Sequence, residues 1–253
     1  MTQFSISPFL VGAMFGFLVL IAVRTKDLNA IERLVSWLFL AALAGWVVLA
    51  VSLSLNGFYD TPAFEAILPT LWFPFMPAIL SLAALLLPPF RQAVLKIADA
   101  TPLHWFVWFE AFRIAAIGTL IKTFQNEFPL VLELAVGVPD LLVGLSAPFI
   151  AIWVKRGELS RQALAMWHFI GVGVIVINGG GLLHLGMPGP HYLLTSQPDT
   201  SVLFDFPMVM APTFAVPMLV IVNIWMIVYL TRFRKRAEDA HGLIADPQYT
   251  RQK

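Results

Sequence analysis

Three ionisable residues stand where apolar sequence should exclude them. Glu110 and Arg113 lie three apart in HWFVWFEAFRIAAIG, and Asp140 follows a proline in GVPDLLVG. The three-residue spacing puts Glu110 and Arg113 on one helix face. If these runs cross a bilayer, Glu110 lies about 12 Å, Arg113 about 16 Å and Asp140 about 20 Å from the inner surface, at roughly 1.5 Å per residue. An ionisable group near the bilayer centre costs about 2.5–3.5 kcal/mol on insertion scales, so such groups face the bundle interior and pair. Arg113 is the one cation at that depth, which predicts ion pairs to both Glu110 and Asp140. Two carboxylates then share one guanidinium. Either the cluster is net negative or one carboxyl holds a proton, which is how a proton relay is built. The alternative is an ion triad that only locks two helices together. Pro139 removes a backbone donor beside Asp140, and Gly137 and Gly144 permit close approach or a kink.

Other polar residues fall into three groups. Asn178, in the run NGGG, and Asn223 are candidate buried polar residues beside the charge cluster. His184, His191, Asp199 and Asp205 could line a mouth on the outer side; their spacing matches no metal motif, and no metal is expected. Glu133 is placed at the outer interface, within reach of water. His104 and His168 fall on different runs at similar depth, and could ligate a haem b walled by Trp105, Trp108, Trp167 and Phe169. Histidine and tryptophan at span ends also occur without any cofactor, and no cofactor is the first expectation.

The elements that must position these residues are membrane spans. Of 253 residues, 59% are hydrophobic and only 12% charged. A soluble domain carries about 25% charged residues. Seven runs approach the roughly 20 apolar residues a span requires: about 8–23, 34–55, 67–90, 102–121, 129–154, 162–183 and 206–231. Lys and Arg crowd the first, third and fifth connections and the segment after the last run, while the alternate connections hold almost none apart from Lys122. The positive-inside rule then puts the N-terminus outside and the C-terminus in the cytoplasm. The expected fold is an all-α integral membrane bundle of seven transmembrane helices over residues 1–236. Residues 237–253 are expected to form a polar, mobile cytoplasmic tail, and the connection 185–204 an irregular outer loop.

Several function classes drop out. A retinal-linked rhodopsin needs a lysine in the last span, and all six lysines lie in connections or near span ends. With no cysteine there are no disulfides, thiolate metal sites or iron–sulfur clusters. A net charge of +1, without a basic stripe, gives no hint of nucleic acid. No P-loop, GxGxxG, HExxH or Ser–His–Asp pattern occurs, so nothing in the sequence supports an enzyme.

Two stretches, PDLLVGLSAPFIA (139–151) and FDFPMVMAPTFAVPMLVIVN (204–223), resemble an uncharacterised family of bacterial multi-span inner-membrane proteins, and FEAFR (109–113) fits the same pattern. The resemblance covers about half the chain. It implies a multi-pass protein of the bacterial cytoplasmic membrane, draws attention to Asp140 and Asp205, and supplies no activity. The leading expectation is a pocket at Glu110, Arg113 and Asp140, open to the outer face, that binds or passes a small polar solute or a proton. The alternatives are a haem- or quinone-handling redox subunit and an accessory subunit docked on a larger membrane complex.

Overall fold

A computed structural model describes residues 6–66, 73–195 and 197–245, with side chains at all of these except 65–66 and 232–245. The described residues form helices and connections, with no strand among them. The helices are α1 Ser7–Arg24, α2 Ala30–Leu55, the short α3 Pro62–Ala66, α4 Met76–Leu85, α5 Pro88–Ala100, α6 Leu103–Phe109, α7 Ile117–Phe124, α8 Leu130–Arg156, α9 Arg161–Leu185 and α10 Val216–Ala245. Among the described residues five stretches are long and apolar enough to cross a membrane, α1, α2, α8, α9 and Ala211–Thr231, or six if the bent pair α4–α5 is one span. Phe9, Val48, Phe149 and Ile177 point outward from this bundle. Such a surface is compatible with a membrane protein, because hydrocarbon rather than water can cover it.

The predicted third and fourth spans take other forms. Residues 67–72 lie outside the described residues, and the helix that follows turns by 100° between α4 and α5. Pro88 and Pro89 explain the turn. A proline pushes the residue before it out of the helical region, and Leu87 sits at ψ 120°. Beyond the turn α5 buries Phe90, Ala93, Val94, Ile97 and Ala98, the repeat of an amphipathic helix. Its polar face bears Lys96, whose Nζ lies 2.7 Å from Glu32 Oε2. Glu32 also closes a capping box with Asn29 at the start of α2. The predicted fourth span is composite: α6, a 3-10 segment Glu110–Ala116, then α7.

The last helix is buried on nearly every side through its apolar half; Met218, Val222 and Met226 are at most 1% exposed. It is therefore the hub around which the others pack. Residues 237–245 are helical and continue this helix, and 246–253 lie outside the described residues. The loop 185–204 is irregular up to a 3-10 turn at Thr200–Phe204. Tyr59, Phe64, Phe73 and Phe204 meet edge to face or tilted, with ring centroids 4.8–5.8 Å apart, and pin that turn to the end of α2.

Candidate functional site

The 3-10 segment shapes the charge cluster. At about 3.0 residues per turn, side chains three apart eclipse, so Arg113 stands directly over Glu110 and its Nε donates to Glu110 Oε2 at 2.6 Å. Arg113 Nη1 donates to Asp140 Oδ1 on α8. Nη2 donates to the Gly171 carbonyl on α9 at 3.2 Å. The guanidinium is 1% exposed and each of its nitrogens is engaged. Gly144 makes this approach feasible. A Cβ there would fall 2.8 Å from both Arg113 Cβ and the Ile114 nitrogen, so α8 and the 3-10 segment touch backbone to backbone.

A second layer backs the triad. His168 Nδ1 pairs with Asn223 Oδ1 at 2.7 Å, and Asn223 Nδ2 donates to the Leu219 carbonyl at 2.7 Å. Both residues are fully buried. Gly171 leaves room for them: an added Cβ would stand 3.1 Å from Asn223 Oδ1 and 3.3 Å from Arg113 Nη2. His168 Nε2 has no hydrogen-bond partner among the described residues, and the Glu110 carboxyl interacts with the Asn223 side chain. Sequence reading grouped Asn223 with the cluster but assigned His168 to a cofactor; only the packing of α9 on α10 brings the two together.

Asn178 is exposed rather than buried in the cluster, and its side chain donates to the Ala135 carbonyl at 3.2 Å. Ala135 stands four residues before Pro139, so proline has removed that carbonyl's helical donor. The helix widens there into a π-turn, Glu133–Gly137. The same device recurs at Ala211–Ala215, another π-turn followed by Val-Pro. The Thr213 carbonyl, four residues before Pro217, accepts from Trp46 Nε1 at 2.9 Å. Glu133 corrects the sequence expectation. It is fully buried, and the Thr119 side chain is the polar group placed to interact with its carboxyl. The carboxyl folds back onto Gly137, where an added Cβ would displace it. The π-turn rotates Glu133 off the outer interface and into the bundle.

A cavity of about 990 Å³ reaches from the connections around Glu127 and Asp205 down to Arg113 and Asp140. Its walls are mainly apolar, with Phe75, Phe112, Ile175 and Leu219 among them. Its rim carries Lys122, Glu127 and Asp205. Asp140 keeps 11% of its side chain exposed while Arg113 keeps none. With Oδ1 taken by Arg113, Oδ2 is the oxygen able to meet a ligand. Ile117, Ile121 and Phe206 line the cavity and are also about half exposed, so it opens sideways as well.

The four residues expected at an outer mouth separate. Asp205 lies on the cavity rim. Burial, and then the nearby Asp60 and Asp199 carboxylates, hold its carboxyl above the usual aspartate range. Asp199 caps the following turn, accepting from the Ser201 nitrogen at 2.9 Å. His184 and His191 stack with ring centroids 5.2 Å apart. Groups of three or more potential metal ligands are absent among the described residues.

The residues proposed for a haem do not share one setting. His104 is near Lys155, whereas His168 is bound to Asn223 near Arg113. Trp105 lies under the Arg24 guanidinium at 5.0 Å, Trp167 donates to Ser146 at 3.0 Å, and Trp108 and Phe169 face outward. The aromatic walls expected of such a site do not converge.

Residues 70–231 match a family described as Domain of unknown function (DUF8737). No curated protein and no solved structure matches the chain.

Proposed function

The chain belongs to the DUF8737 family, and from that premise we propose a multi-pass membrane protein that binds a small solute in a pocket floored by the Glu110–Arg113–Asp140 cluster. The carrying observation is the cavity that runs from the connections around Glu127 and Asp205 to Arg113 and Asp140. Its size falls at the upper end of ordinary ligand pockets, about 300–1,000 Å³. The reading counts seven spans, taking residues 76–85 with the chain before them and residues 103–124 as the third and fourth. It puts the N-terminus outside and the C-terminus in the cytoplasm, as the charge asymmetry requires. In a bacterium the site is the cytoplasmic membrane. Arg113 holds the two carboxylates in place, Glu110 from outside the cavity lining, and Asp140 presents the polar contact.

The absence of cysteine makes the test direct. Gly179 lines the cavity, and a Cβ there meets only Ile175, at 4.0 Å. A membrane-impermeant thiol reagent added to intact cells should modify Gly179→Cys, and should spare Leu43→Cys in the sealed core. Protection of both cysteines alike would mean a closed cavity, and the triad would then be a helix lock.

A further inference from the structure

The charges around the cavity define a class of ligand. The floor is Arg113 and Asp140. Glu110, bonded to Arg113, does not line the cavity, but it gives the cluster two carboxylates to one guanidinium, each of whose nitrogens already donates one bond. An anion arriving there meets a cluster with one more carboxylate than cation. At the rim, Lys122 is paired with Glu127 at 3.3 Å, and Asp205 stands among Asp60 and Asp199. Carboxylates therefore outnumber cations along the cavity. Between floor and rim the walls are apolar and include the side chains of Phe75, Phe112 and Phe128. Aromatic faces attract organic cations and do nothing comparable for anions. A volume of about 990 Å³ exceeds what a proton or a metal ion needs.

We infer that the cavity takes a lipophilic organic cation, an apolar amine or onium ion whose charge sits at Asp140 Oδ2 and whose hydrocarbon body packs on the walls. This inference rests on the pocket proposed above and names its ligand class. The sideways opening past Ile117, Ile121 and Phe206 gives such a molecule a route from the hydrocarbon phase.

Tetraphenylphosphonium and tetraphenylborate have the same shape and opposite charge, so they isolate the charge preference. Equilibrium dialysis against the detergent-purified full chain should give saturable binding of the phosphonium, above micelle partitioning, and none of the borate. Asp140→Asn should weaken the phosphonium on the order of tenfold or more, as loss of a buried charge partner does. That variant leaves Arg113 short of an acceptor and could unfold the bundle. Gly179→Leu, which fills the cavity without touching a charge, should also abolish the saturable component. Saturable borate binding that disappears in Arg113→Gln would overturn the cation class and keep the pocket. Binding of neither ion, with Gly179→Cys still reactive, would also overturn the ligand class alone. Binding of neither ion with an unreactive cysteine would overturn both readings.

Discussion

Arg113 is the residue on which the others depend. Its guanidinium serves Glu110, Asp140 and the Gly171 carbonyl at once, a planar fork that a lysine ammonium cannot reproduce. Removing one partner of a buried ion pair costs about 3–5 kcal/mol, because a charge is left behind in a low dielectric. Arg113→Gln should therefore lower the midpoint of thermal unfolding in detergent sharply, and Arg113→Lys should not restore it. The triple variant Arg113→Gln, Glu110→Gln, Asp140→Asn carries no stranded charge. It should recover much of the loss; a triple variant as unstable as the single one would show that shape, not charge, is what Arg113 supplies. Glu133 makes the opposite case. Its carboxyl is fully buried with only the Thr119 side chain to interact with, and so poorly compensated a group costs free energy. Glu133→Met, of similar length, should raise the unfolding midpoint. A lowered midpoint would mean that the carboxyl has a role this geometry does not account for.

At the scale of elements, two helices carry the same repair. Each widens into a π-turn just before Val-Pro, and in each the carbonyl freed by proline is met by a side chain from another helix. Asn178 serves Ala135 and Trp46 serves Thr213. An unsatisfied buried carbonyl costs about 1–3 kcal/mol. Trp46→Phe should destabilise the wild type by about that much. It should cost less in a Pro217→Ala background, where the restored amide can bond within the helix. A double-mutant cycle on chemical unfolding measures the coupling, and strict additivity would remove the repair argument. The contact of α8 with the 3-10 segment is similarly specific. Backbone atoms of Arg113 and Ile114 occupy the space a Gly144 side chain would need, so Gly144→Ala should destabilise by about 1–3 kcal/mol, the usual cost of overpacking.

Across the whole molecule, carboxylates outnumber cations along the cavity, and the rim should show in the pH dependence. Burial first, and then Asp60 and Asp199, raise Asp205 above its ordinary value. Folding thus favours the protonated form. The contribution of Asp205 is most favourable at acid pH and is lost as pH rises from about 3.9, the ordinary aspartate value, through the raised one. Asp205→Asn should gain stability relative to the wild type across that rise and none below it. Paired pH series of thermal unfolding check this; a difference independent of pH would remove the electrostatic account of the rim.

Composition and the spacing of apolar runs were enough to read a helical chain with several long apolar helices, because the length and apolarity that hydrocarbon demands of a helix are local properties. The pairing of Arg113 with Glu110 and Asp140 was also legible, since a lone cation at that depth has few partners to choose. The sideways turn before α5 was carried by Pro88 and Pro89, yet the apolar count ran through it. Tertiary structure alone decided the rest. Whether Glu133 meets water depends on a π-turn that shifts the phase of a helix, and periodicity assumes that phase constant. The link of His168 to Asn223, the service of Asn178 to Ala135, and the cavity above Asp140 all lie between helices distant in sequence. Their contacts follow from how whole helices pack, and no spacing along one chain segment encodes that.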